Sequence, residues 1–179
     1  MRPAVSSCDG RVVPAVVVRR IRPGDAEALR TVRLAALADT PGAFGSTHAD
    51  EVTRPDSHWT TVAGDRSSGS SSANFLAMDG DRAAGIIGVI RSDEALDVIE
   101  LVSMWVEPLL RGSGVADRLV VEVLSFAAAA GVSNVELWVA VGNDRARRFY
   151  ERHGFVGLDD FAPLPSDPCA NEQRMRRVL

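Results

Sequence analysis

Residues 100–116, ELVSMWVEPLLRGSGVA, constrain this chain more than any other stretch. The apolar run 101–106 reads as a buried strand, and Pro108 turns the chain after it. Arg111-Gly112-Ser113-Gly114-Val115-Ala116 then opens a helix that runs to about Ala130, with Val115, Leu119, Val123 and Ala127 on one stripe. A strand feeding a glycine loop and a helix leaves free backbone N–H groups at the positive end of a helix dipole. That is a site for phosphate or pyrophosphate. The glycines let the backbone approach a ligand with no Cβ in the way. A P-loop is excluded, because it needs a lysine and the chain has none. A dinucleotide turn is excluded as well: Asp117 stands where its third glycine belongs, and the strand ends about five residues too early.

A second block, residues 135–155 (VELWVAVGNDRARRFYERHGF), reads as a strand, then Asn143, then a short helix carrying Ala146 and Phe149-Tyr150, closed by Gly154-Phe155. The motif R-x-x-G-x-A at Arg111, Gly114 and Ala116, after a strand ending V-x-P, resembles the coenzyme A loop of the GNAT N-acetyltransferase superfamily. The spacing N-x-x-A-x-x-F-Y-x-x-x-G-F is similar to that family's second hallmark. The resemblance covers residues 16–179.

It implies an α/β fold: a single domain with a mixed, mostly antiparallel sheet flanked by helices. It also implies acetyl-CoA as donor. Main-chain groups of Met104, Trp105 and Val106 would pair with the pantetheine arm as an added strand. The pyrophosphate would lie on Arg111, Gly112, Ser113, Gly114, Val115 and Ala116, with Arg111 adding a charge-assisted contact. Asn143 and Ala146 would face the pantetheine from the other side. In the family a bulge in the Met104 strand opens the slot; the sequence does not display one. The bland alternative is that the glycines turn a βα junction and that Met104 and Val106 are core.

Acetyl transfer to an amine needs a base, because at pH 7 an amine of pKa about 10.4 is neutral roughly once in 2,500 molecules. Glu100, in the otherwise apolar VIELVSMWV, is costly to bury without a partner or a function. Its spacing to Arg111 resembles that of the strand glutamate used as base by the histone-acetylating branch; the alternative is a solvent-facing strand start. The ribosomal-protein branch has its glutamate five residues before the asparagine, and Trp138 occupies that position here, so its substrate class does not carry over. Asp159 and Asp160, or ordered water, are the reserves. Tyr150, the only tyrosine, matches the family's general acid toward the departing thiolate, against a packing role for the Phe149-Tyr150 pair. Cys8 and Cys169 lie outside both motifs, which favours direct attack in a ternary complex over an acyl-cysteine. They also lack metal-ligand spacing.

The rest of the chain is read from pattern. At 179 residues it fits one domain, residues 15–179, behind a flexible tail, residues 1–14. Apolar runs are too short for a membrane span and the N-terminus lacks a signal-peptide core, so a cytoplasmic place is expected. A net charge of −4 argues against nucleic acid and mildly for a cationic substrate. The acceptor is a small-molecule or peptide amine, with no membrane partner and a homodimer left open. Residues 15–21 read as a strand and 26–37 as a helix. Loop 43–48 supplies Phe44, Ser46 and Thr47, which with Trp59 are candidate acceptor contacts or ordinary core. Residues 65–72 read as a flexible loop, 74–78 and 82–90 as a hairpin, and 97–106 as a strand. Residues 155–158 and 173–178 read as the last strands, with a loop over 159–171. A non-catalytic acyl-CoA-binding module is the competing class.

Overall fold

The computed structural model describes residues 16–91 and 95–179. The expected tail, residues 1–14, and Cys8 lie outside them. The elements are β1 (Val17–Arg20), α1 (Ala26–Asp39), α2 (His48–Val52), α3 (Asp56–Ser67), β2 (Ser72–Asp79), β3 (Arg82–Arg91), β4 (Val98–Val106), α4 (Val115–Ala129), β5 (Asn134–Ala140), α5 (Asp144–Arg152), β6 (Val156–Leu164) and β7 (Asp167–Val178). The seven strands form one sheet in the order β1-β2-β3-β4-β5-β7-β6. Every neighbouring pair is antiparallel except β4 and β5, which α4 connects as a parallel crossover. Among the described residues no helix is long and apolar enough to cross a membrane.

Period-2 alternation sends each strand's side chains to two cores. Leu76, Met78 and Ile86 pack against Leu29, Val32 and Leu37 of α1 and Trp59 of α3. Phe75, Ala77 and Ile87 pack on the opposite face against Val115, Leu119 and Val123 of α4. Fully buried leucines such as Leu37 and Leu119 contribute about 1.5–3 kcal/mol each by leaving water.

In β4 the alternation changes phase. Ile99 and Leu101 join the α4 core, but farther along it is Val106 that does so, while Trp105 turns to α1. The cause is a bulge: Ile86 pairs with Trp105 and Gly88 with Val102, so β4 carries one extra residue. Ser103 adopts φ 59°, a left-handed conformation costing a non-glycine residue about 1–3 kcal/mol. An arginine on α1 donates to its hydroxyl and helps hold it there: Arg33 Nη1 to Ser103 Oγ, 3.2 Å.

Three expectations need correction. The connection before β2 contains a short helix, α2, that the sequence reading missed; Thr47 caps it, accepting from the Asp50 amide at 3.2 Å. Residues 65–72 are not a free loop. Helix α3 runs to Ser67, and the Arg20 guanidinium ties the carbonyls of Arg66, Ser68, Gly69 and Ser72 at 2.8–3.0 Å. Residues 159–171 are not a loop either: β6 and β7 extend through them and turn at Pro165-Ser166. Prolines and aspartates are poor strand formers in isolation, but an outer hairpin with exposed faces tolerates them.

Candidate active site

The β4–β5 ladder is short. It runs Val98–Asn134, Ile99–Val135, Glu100–Glu136 and then stops, because the bulge bends β4 away. Two cavities of about 420 Å³ each open where the strands part, and Ala43, Met104, Asn143, Ala146 and Tyr150 border both.

The first cavity continues along the helix α4 side. Its walls include Met104, Trp105, Val106, Gly112, Gly114, Ala116, Arg145, Phe149 and Arg152. Gly112 and Gly114 both sit at φ 82°, where a side chain is strained, and a Cβ at either would meet nothing within 4 Å. The first α4 hydrogen bond is donated by Arg118 to the Gly114 carbonyl at 3.1 Å. The amides of Val115, Ala116 and Asp117 therefore precede the helical ladder. A loop that needs left-handed backbone twice and leaves amides unpaired fits an anion.

Side chains here depart from the expectation in part. Arg111 does not project freely: its Nε donates to the Val106 carbonyl at 2.9 Å and its Nη2 pairs with Asp39. Trp105 Nε1 donates to the same Asp39 carboxylate at 2.9 Å, and with Arg111 it holds that carboxyl below the usual range. Ser113 donates to the Leu110 carbonyl, and Val115 is core, so neither side chain lines the cavity. The basic groups that do line it besides Arg111 are Arg145 and Arg152, which sequence reasoning missed. Asn143 caps α5, accepting from the Ala146 amide at 3.1 Å.

The second cavity lies on the opposite side of the parting, between the 43–46 loop, β4, β5 and the β6–β7 turn. Ser166 at that turn donates to the Phe44 carbonyl at 2.5 Å, closing the far wall. Phe44 and Ser46 border it. Thr47 is spent on its cap, and Trp59 is core at 3% exposure, so neither reaches it. Glu100 does reach it, half-buried, its carboxylate accepting no hydrogen bond from any described residue. Burial pushes its carboxyl above the ordinary range; Glu136 adds to that and Arg174 opposes it. Asp159 is exposed, and Asp160 pairs with Arg174 at 3.1 Å, so neither reserve lies at the cavity.

Arg33, Arg66 and Glu172 complete the charged lining, and sequence reasoning found none of them. For Glu172 a signal existed: Glu172, Arg174 and Arg176 alternate, as one polar strand face would. Arg33 and Arg66 come from two helices and left no local mark.

Tyr150 stands at the junction of the cavities, 7% exposed, among Phe149 and Phe155. Burial raises its pKa above the ordinary value, so the phenol keeps its proton throughout the neutral range. Among the described residues the one cysteine, Cys169, is exposed, and no cluster suits a metal ion.

Residues 35–155 match the model of the acetyltransferase (GNAT) family. The chain belongs to that family. A 66-residue stretch is 38% identical to an uncharacterized N-acetyltransferase of Methanocaldococcus jannaschii, covering 37% of this chain and 29% of that one. In fold it is similar to a GNAT-family acetyltransferase of Streptococcus pneumoniae, with TM-score 0.75, 19% identity and coverage of 92% and 99% of the two chains. The spermidine N-acetyltransferase of Vibrio cholerae, solved with CoA and spermine, gives TM-score 0.71 at 16% identity over 92% and 95%. For yncA of Salmonella typhimurium, solved with its cofactor acetyl-CoA, the TM-score is 0.75 at 15% identity over 92% and 94%.

Proposed function

We propose that this GNAT protein transfers an acetyl group from acetyl-CoA to a primary amine of a small molecule or peptide, by direct attack in a ternary complex. One observation carries the reading. The bulge in β4 opens a slot whose one end is a glycine-amide loop and whose other end is a cavity with a half-buried carboxylate.

Acetyl-CoA supplies the activated thioester. The amides of Gly112, Gly114, Val115 and Ala116 suit its pyrophosphate, with Arg145 and Arg152 adding charge at the rim. Arg111 serves that loop indirectly: with Asp39 and the Val106 carbonyl it fixes the start of the loop against the end of β4. The main chain of Met104–Val106 lies along the slot where β5 has left it, suited to pairing with an extended amide arm.

Glu100 accepts the ammonium proton. Its raised pKa brings it nearer the pH at which it works, which favours a general base. Tyr150, held protonated, donates to the departing sulfur. Cys169 is exposed and borders neither cavity, which supports direct transfer over an acyl-cysteine.

The test is acetyl-CoA turnover against a panel of polyamines, amino acids, aminoglycosides and N-terminal peptides, read by thiol release. Release that depends on an amine is the expected result. Coenzyme A binding with no turnover on any amine would make the chain a binding module.

A further inference from the structure

The second cavity carries a charge that amine acetylation alone does not require. Arg66, in the last turn of α3, is half-buried and donates to Asn74 Oδ1 at 3.0 Å. It has no carboxylate within ion-pair distance among the described residues, although it lines the cavity. Burial, reinforced by neighbouring Arg33 and only partly offset by Asp65, depresses its pKa. Arg33 is different: its charge is matched by Glu51 at 3.0 Å, and it also bonds Ser46 and Ser103.

The sheet makes room for Arg66. A Cβ on Gly88 would stand 2.7 Å from Asn74 Oδ1 and 3.4 Å from Arg66 Nη1. Glycine at that position leaves room for the Asn74 amide that holds the guanidinium over β3. Gly88 pairs with Val102, and Glu100 is two residues along the same face of β4, about 7 Å away along the strand. Glu172 borders the cavity from β7, and burial, with the neighbouring Glu100 charge added, raises its carboxyl above the ordinary value. The cavity is therefore positive over Gly88 and negative over Glu100 and Glu172.

We propose that the acceptor is a zwitterion of amino-acid type, its carboxylate on Arg66 and its amine at Glu100. This rests on the acetyltransferase reading above. The carboxylate supplies the ion-pair partner that Arg66 lacks among the described residues, and planar guanidinium–carboxylate pairing fixes the molecule's direction. A polyamine has no anion to offer, and its further cations would meet the arginine end, where like charge opposes them.

Matched acceptors test this: a set of α-amino acids, their carboxamides and their decarboxylated amines, with spermidine alongside, assayed by thiol release from acetyl-CoA. At least one acid should exceed its amide in kcat/KM by about tenfold or more. Arg66→Gln should erase that preference, bringing the acid's kcat/KM down to the amide's, and Arg66→Lys should restore part of it. Were Arg66→Gln misfolded by circular dichroism, the wild-type preference and its reduction in Arg66→Lys decide. Turnover confined to spermidine or alkyl amines, or equal rates for acid and amide, overturns the proposal and leaves the acetyltransferase reading standing. Coenzyme A binding without thiol release for any acceptor overturns both.

Discussion

The two cavities share five residues at their junction but are made of different material. The one at the glycine loop is built from main chain: left-handed glycines and amides that precede the helical ladder. The one behind it is built from side chains contributed by α1, α3, β4 and β7. Backbone sites demand particular residue types at fixed spacing, since only glycine accepts φ 82° without strain. Side-chain sites can be assembled from any elements that meet in space. A family can therefore keep the first kind constant while the second varies.

That contrast can be broken by substitution. The largest effect is expected at Glu100. Glu100→Gln keeps the volume but cannot take a proton, and kcat should fall about 10²–10⁴-fold with little change in coenzyme A affinity. A carboxylate base works only when deprotonated, and burial raises this one. The wild-type rate should therefore fall, as pH drops, at a pH above that of a free glutamate near 4.3. The variant should lose that limb and recover partly at high pH, where more amine arrives neutral. An unchanged acidic limb would remove Glu100 from the chemistry.

The buried Arg33–Glu51 pair tests whether the side-chain cavity also carries stability. Glu51→Gln leaves Arg33 uncompensated, and denaturant unfolding should show a loss toward the low end of roughly 3–5 kcal/mol. Burial pushes the Glu51 carboxyl up, but hydrogen bonds from Arg33 and Ser46 outweigh it, and the result lies below the ordinary value. A depressed folded-state pKa stabilises above the unfolded pKa and loses that contribution as pH falls through the folded one. The difference between wild type and variant should therefore narrow on acidification through the carboxylate range. A constant difference would mean that packing, not charge, holds the pair.

The backbone cavity should respond to one Cβ. A Cβ at Gly114 meets no atom within 4 Å, so the first cost of Gly114→Val comes from φ rather than from a clash at Cβ. Calorimetry should show coenzyme A affinity down about tenfold or more, since the left-handed penalty is about 1–2 kcal/mol and greater for a branched side chain. Unchanged affinity would move the phosphates off this loop. The smallest effect belongs to Asp160. Asp160→Asn removes an ion pair with Arg174 outside both cavities, and turnover should stay within about twofold.

The same contrast explains what the sequence disclosed. Gly112, Gly114 and Asn143 stood out because turns and caps restrict residue identity locally. Glu100 stood out because a carboxylate is costly in an apolar strand. Arg33 and Arg66 did not, since each reads as an ordinary polar position on its helix and gains meaning only where α1 and α3 cross the sheet. Thr47 and Trp59 misled for the same reason: proximity in the chain to Phe44 and Ser46 did not bring them to the cavity. Over residues 159–171 local propensity speaks against strand, and the pairing of β6 with β7 overrides it.

The extra residue at Ser103 bears on how such a protein can change over generations. Point substitutions cannot close the opening, because it comes from the number of residues in β4 and not from their identity. Deleting one residue would turn Trp105 and Val106 to the wrong faces and empty a position in both cores at once. An intermediate on that route loses packing in both cores, which ties the opening to the cores themselves. Arg66 over Gly88 and Glu172 on β7 border the cavity and belong to neither core, so substitution there reshapes the cavity without touching the residue count of β4.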